Sequence, residues 1–500
     1  MNVAFEKNLN AVDAVEHLDV LIVGAGISGI DAAYHLQKDC PEKKFALLET
    51  QSSFGGTWNT HKYPGIRSDS DLYTFGYKWK PWNGKPIATA DRILNYLDES
   101  LDENDLRRHI RFQHEVKAAT WSSDEKTWTL EVQDNDLGAI RILTCNFLWM
   151  CQGYYRHSEG YTPEFPGSEK FEGEIIHPQV WPEDLDYKDK KVVVIGSGAT
   201  AATLIPAMAE ECSHITMLQR SPTYFVARPN RNELVDTLRA LDIPDEWTHE
   251  IARRSVLKEQ EMITHRSFED SDALKQDLIG AAKMHLGDGF DVDKHFTPSY
   301  RPWRQRLALV PDGDLFKSIK SGNASVVTDH IDTFTEKGIL LKSGETLEAD
   351  IIVTATGFNM CVLGDIRFTI DGEALDFSKT WAHRGILFSG IPNMAWVFGY
   401  LRTSWTMRSD LVAGFVCRLL NHMDDKGVEM VTPQLRESDA DMPKLPFVDP
   451  ENFNAGYLTR SLDIMPKQGD RQPWVFSQNY YAEKEEIPAA DLEDGTLIYK

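Results

Sequence analysis

The chain has 500 residues, 42% of them hydrophobic and 26% charged, enough to bury a sizeable core and to form two or three domains rather than one. A formal net charge of -24 offers no electrostatic footprint for nucleic acid and repels anionic membrane surfaces. No apolar run approaches the roughly 20 residues of a membrane span, and six scattered cysteines without a CxxC pair read as reduced structural thiols of a cytoplasmic protein, with no disulfide framework and no metal site.

The lead-in MNVAFEKNLNAVDAVEHLD carries acids throughout and lacks a basic segment followed by an apolar one, so it does not read as a secretory signal. HLDVLIVGAGISGIDAAYHLQ follows, a β-branched apolar run, then Gly24, Gly26 and Gly29, then apolar residues at helical spacing. That order predicts strand, turn and helix, with a pyrophosphate held at the helix N-terminus. A second strand, KKFALLE, ends in Glu49, twenty residues past Gly29, where a carboxylate accepts both hydroxyls of an adenosine ribose. The unit therefore suits an unphosphorylated adenosine, as in FAD.

The pattern returns in KKVVVIGSGATAATLIPAMAE, whose loop holds Gly196, Ser197, Gly198, Thr200 and Ala201, and the next strand, HITMLQ, leads to Arg220 and Ser221. Here a cation replaces the carboxylate. It suits the 2′-phosphate of NADPH. The chain then turns strongly charged from about 230 to about 290, with runs that fit an amphipathic helical insertion, either a cap over a site or a solvated appendage. EADIIVTATGF, Glu348–Phe358, reads as a strand returning to the first domain, and LWMCQGYY marks the crossing between domains. The expected layout is a first part of the FAD domain over 1–160, an inserted NADP domain over 161–335, and the rest of the FAD domain with a surface-wrapping tail over 336–500.

Two longer patterns narrow the class. Phe171, Gly173, His177 and Trp181 fit FxGxxxHxxxW directly before the second loop, and GGTWNTHKYPGIRSD, Gly55–Asp69, fits [A/G]GxWxxxx[F/Y]P[G/M]xxxD. On these residues the chain resembles the type I Baeyer–Villiger monooxygenases of the flavin-containing monooxygenase superfamily, from about residue 17 to about 425, with wording around YPGIRSDSD and HPQVWPEDLDY nearest the ethionamide-activating subgroup. GYLRTSW departs from the family, placing Leu401 and Arg402 where smaller or polar residues are usual.

The resemblance implies an α/β fold of two Rossmann-type dinucleotide-binding domains, for FAD and NADP, with a helical insertion. It puts the fingerprint on the interdomain linker, with His177 bonding across the junction and Trp181 packing there, neither of them catalytic. Ser28 would meet the pyrophosphate, Gly56, Thr57 and Trp58 would lie along the FAD, and Val116 would meet the adenine through its backbone. The implied reaction inserts one atom of O2 beside a ketone carbonyl through a C4a-peroxyflavin, with oxidation of thioethers or thioamides as a side activity. An arginine suits the peroxyanion because it keeps its proton. The family's arginine precedes a Leu, which selects Arg306 in YRPWRQRLALVPDGDLF, with Arg301 and Arg304 as alternatives and Asp69 as its carboxylate partner. The rival reading is a monooxygenase of N and S atoms only; a disulfide reductase lacks its cysteine pair, and a non-catalytic redox sensor leaves Arg306 and Asp69 without a purpose.

Overall fold

The computed structural model describes residues 15–500, so most of the acidic lead-in lies outside the described residues. Strand β1 (Glu16–Val23), helix α1 (Ile27–Asp39) and β2 (Phe45–Leu48) form the first strand–turn–helix–strand unit, with β1 and β2 parallel and in register from Val20↔Phe45 to Val23↔Leu48. All four residues of β2 are buried, as apolar strands covered on both faces must be. Strands β3 (His114–Ser122), β4 (Thr127–Asp134) and β5 (Ala139–Met150) run antiparallel in series and return β5 to lie parallel beside β1.

The second unit is a five-stranded sheet made of β6 (Glu174–Ile176), β7 (Lys191–Ile195), β8 (His214–Gln219), β9 (Ala324–Thr328) and β10 (Ile351–Thr354), in the order β9-β8-β7-β10-β6 with every pairing parallel. Helix α2 (Ala199–Met208) connects β7 to β8. Here one expectation fails. The run Glu348–Phe358 does not return to the first sheet: Ile351–Thr354 sits beside β7, with Ile352 opposite Val193. The second unit therefore continues some twenty residues past 335. The first sheet is rejoined by β11 (Arg367–Ile370) on β3 and by β12 (Met394–Trp396) on β5.

The charged stretch folds as α3 (Glu233–Ala240), α4 (Asp245–Glu269) and α5 (Ser271–Leu286). It is docked rather than solvated. Arg253 of α4 is buried and donates to the carbonyls of Tyr73, Thr74 and Gly76 in the first unit, at 3.2, 3.3 and 2.9 Å, while Ile279, Ala282 and Leu286 of α5 join the core of the second unit. A long helix, α6 (Trp405–Lys426), packs against α1: Val412 and Val416 share one core with Ile30 and Ala33.

The segment from Asp441 onward is not a surface wrap. Phe447, Phe453, Leu458, Met465 and Phe476 are buried in the same cluster as Trp396 and Phe398. All six cysteines are free and buried, and among the described residues no helix is long and apolar enough to cross a membrane.

Candidate active site

The first loop brings Gly24, Gly26, Ser28 and Gly29 to the C-terminal end of β1, against the turn that carries Gly56, Thr57 and Trp58: the Gly55 N–H donates to the Ala25 carbonyl at 3.0 Å. Gly26 and Gly56 face one another so closely that a Cβ built on Gly56 would stand 3.3 Å from the Gly26 Cα. Each begins a helical segment, and neither segment has a side-chain cap. Uncapped N–H groups lining a side-chain-free cleft are what a pyrophosphate requires, so these residues fit FAD. Glu49 is buried and accepts from the N–H groups of Ala25 and Gln51, both at 2.9 Å. Burial raises its pKa while those N–H groups oppose the rise. Val116 is buried at a register irregularity between Val116 and Ala118.

The second loop repeats this geometry at the end of β7. Gly198 begins α2 without a side-chain cap and has open space where a Cβ would stand, Ala201 is fully buried under the helix, and the Ser197 hydroxyl bonds Thr223 at 2.9 Å. Thr200 is half-buried at the start of α2. Arg220 and Ser221 are exposed past the end of β8, and Arg220 has no ion-pair partner among the described residues. A dinucleotide with an extra phosphate fits this end.

Between the units runs a two-stranded antiparallel ribbon, Tyr155–Gly160 against Phe358–Met360. The fingerprint holds it. His177 Nε2 lies 3.0 Å from the Gly357 carbonyl, and a Cβ on Gly160 would stand 1.9 Å from the His177 ring, so the ring occupies the space that a glycine leaves. Gln179 Nε2 donates to the carbonyls of Arg156 and His157 at 2.6 and 2.9 Å. Phe171 packs on the core behind β10, Gly173 lies against the Asp350 carbonyl, and Trp181 packs with Tyr187 on the second unit. Burial holds His61 down at about 4 and keeps His157 and His177 below the usual histidine range, so all three are neutral at pH 7.

The Gly55–Asp69 segment crosses to the second unit as well. Arg67 pairs with Asp314 at 2.5 Å, and two residues later Asp69 meets Arg306. The Arg306 guanidinium donates Nε–H and Nη2–H to the two oxygens of Asp69, the second at 2.8 Å, and also reaches Ser70 Oγ at 3.0 Å and the Leu401 carbonyl at 3.1 Å. Burial opposes its charge, but the Asp69 carboxylate wins and holds the proton more tightly than usual. Arg301 and Arg304 turn elsewhere: Arg301 donates to the Asn452 carbonyl at 3.2 Å and Arg304 pairs with Glu451 at 2.9 Å.

Comparison with known proteins identifies the family. Residues 86–235 match the family described as flavin-binding monooxygenase-like, and residues 22–80 match an NAD(P)-binding Rossmann-like domain. The FAD-containing monooxygenase EthA of Mycobacterium tuberculosis is 48% identical over 486 residues, 97% of this chain and 98% of that protein. The chain belongs to the flavin-binding monooxygenase-like family. EthA of Mycolicibacterium smegmatis is 47% identical over 486 residues, 97% of each chain. The likeness therefore extends well beyond residue 425 into the C-terminal segment. In fold this monooxygenase is similar to cyclohexanone monooxygenase, with a TM-score of 0.68 at 21% identity over 84% of this chain and 90% of that one.

Several residues of this flavin-binding monooxygenase were not singled out by the sequence. Trp405 Nε1 donates to Ser28 Oγ at 2.7 Å, and its ring stacks on Tyr154 with centroids 4.9 Å apart, so the first residue of α6 closes over the first loop. Tyr154 and Tyr155 share a hydroxyl bond of 2.8 Å, and Tyr457 from the C-terminal segment packs edge-on to Tyr155. Burial pushes all three phenols up, so they stay neutral. Only the Tyr-Tyr pair, directly after a strand-then-glycine run, offered any hint.

Proposed function

We propose that this enzyme is a Baeyer–Villiger monooxygenase, in which a ketone, O2, NADPH and a proton give an ester or lactone, NADP+ and water. The observation that carries the reading is the two-pronged Arg306–Asp69 pair, set where the Gly55–Asp69 segment crosses to the second unit. FAD bound at the first loop supplies reduced flavin, which activates O2.

The chain's own residues set the conditions. Glu49 and the uncapped N-termini beside Gly26 and Gly56 hold the dinucleotide, with Thr57 and Trp58 along it, while Arg220 and Ser221 read the NADPH 2′-phosphate. Arg306 presents a permanent positive charge to a negative oxygen and, being tightly protonated, does not donate an acidic proton to it. Asp69 takes both prongs of the fork and fixes its plane, and Ser70 and Leu401 take two further N–H bonds. Tyr154, Tyr155, Trp405 and Tyr457 form an aromatic wall that excludes water. His177 serves as a neutral bond across the junction, which leaves it a positioning residue and not an acid.

Sulfur oxidation belongs to the same site, since a thioether needs only an electrophilic oxygen. Incubating purified enzyme with NADPH, 18O2 and a panel of ketones and thioethers tests the proposal. One 18O atom should enter the ester. Sulfoxide as the sole product across the panel would instead mark an oxidase of soft heteroatoms.

A further inference from the structure

The Arg301–Arg306 loop sends its arginines in two directions. Arg306 turns inward to Asp69, whereas Arg301 turns to the backbone of Asn452 and Arg304 to Glu451. Arg402 joins the outward group, donating to the carbonyls of Trp303, at 3.3 Å, and Asn452. The guanidinium carbons of Arg301 and Arg402 stand 4.1 and 5.2 Å from the centroid of the Phe268 ring, which α4 leaves 47% exposed.

Arg304 has its carboxylate in Glu451, but among the described residues Arg301 and Arg402 have none within ion-pair range. The nearby acids are engaged elsewhere. Asp449 accepts from Glu451 N–H and Asn452 Nδ2, and Asp470 pairs with Arg471 at 2.9 Å. Two guanidiniums sharing one carbonyl repel each other, a costly arrangement to keep in a chain of net charge -24 with acids to spare. Burial and then Arg301 push Arg402 down to about 10, still charged at neutral pH. Stacking on Phe268 uses the faces of the planar groups and leaves N–H edges for an outside partner, and a carboxylate fits such forks.

Arg402 also lines a cavity of about 290 Å³ whose walls mix the apolar Leu401, Val448 and Phe453 with the polar Asp449, Asp470 and Gln478. Leu401 belongs to both places, since its carbonyl accepts from Arg306. The cavity thus joins one of the two unpaired cations, Arg402, to Leu401, whose carbonyl Arg306 bonds.

We infer that Arg301 and Arg402 form an anion-binding subsite at the mouth of the active site, holding the carboxylate of a substrate whose ketone or sulfide reaches toward Arg306 past Leu401. The second half of that statement rests on the proposed Baeyer–Villiger reaction; the anion subsite does not.

The test uses FAD-loaded enzyme and two probes, decanoate and methyl decanoate, with dissociation constants read from the flavin absorbance. Decanoate should bind about tenfold more tightly, as one charge-assisted pair allows. The preference should shrink to about twofold or less in Arg301→Gln/Arg402→Gln and largely survive in Arg402→Lys, which keeps the charge. Equal binding of the two probes by the wild type, or a preference that survives the double glutamine variant, overturns the subsite. A raised KM for NADPH in the double variant with the decanoate preference intact also overturns it, by assigning the cations to a phosphate of the dinucleotide. A keto acid and its methyl ester are then compared for ester formation: if neither is oxygenated while the decanoate preference holds, the reaction reading fails and the subsite stands.

Discussion

His177 and Gly160 occupy one space: the imidazole fills the gap left by the missing Cβ, and its Nε2 reaches the Gly357 carbonyl at 3.0 Å, just before the other strand of the ribbon. The fingerprint therefore clamps the linker on which the two dinucleotide units meet. His177→Ala should cost about 1 kcal/mol for the lost bond and more for the void. Gly160→Ala should cost more still, because ring and methyl cannot coexist. Both should lower the melting temperature and raise the KM for NADPH together; a normal KM in a destabilised Gly160→Ala enzyme would sever the link between clamp and dinucleotide.

His61 stacks on Phe358 of the same ribbon at 5.3 Å and is held at about 4 by burial, then by His157 and His177. Because its folded pKa lies below the unfolded value, the unfolded chain binds more protons, and stability falls as pH drops from about 6.5 toward 4. His61→Phe removes that loss. Between pH 7 and pH 4 the variant should gain about 3 kcal/mol on the wild type. Urea titrations at the two pH values measure it, and parallel curves would show that His61 is not buried neutral.

Arg220 stands exposed, without an ion-pair partner among the described residues, past the end of β8. Arg220→Ala should raise the KM for NADPH by about ten- to a hundredfold, the worth of one charge-assisted hydrogen bond, and leave NADH nearly untouched. Equal effects on the two coenzymes would show that Arg220 does not read the phosphate.

Trp405 ties α6 to the first loop through Ser28 Oγ. Trp405→Phe keeps most of the stacking on Tyr154 and deletes the hydrogen bond, so FAD should dissociate about tenfold faster with the fold intact. Unchanged flavin release would make the bond incidental.

What the sequence disclosed follows from how local each signal is. Glycines at a strand–helix turn are fixed by short-range geometry, so both strand–turn–helix units were legible. Ile351–Thr354 was assigned to the wrong sheet because an apolar run shows that a strand is buried between two neighbours but not which neighbours. The C-terminal segment hid its role among prolines and acids, with single buried aromatics spaced too irregularly for any period. Tyr457 and Trp405 reach the site through chain crossings hundreds of residues long. The arginine choice lay between these cases: the sequence left three candidates, and the structure brings only Arg306 to Asp69.

The account turns on Arg306, whose charge, in the proposed reaction, separates flavin reduction from oxygen transfer. Opposite charges about 4 Å apart at an effective dielectric near 20 attract by roughly 4 kcal/mol, enough to change the lifetime of a negative oxygen species by orders of magnitude. The measurement is the ratio of ester to hydrogen peroxide per NADPH consumed, in wild type, Arg306→Lys, Arg306→Ala and Asp69→Ala. Arg306→Ala should retain FAD and oxidise some NADPH but release peroxide in place of ester, with Arg306→Lys only partly better and Asp69→Ala failing in the same way. Ester formed by Arg306→Ala at a near wild-type ratio would contradict the account.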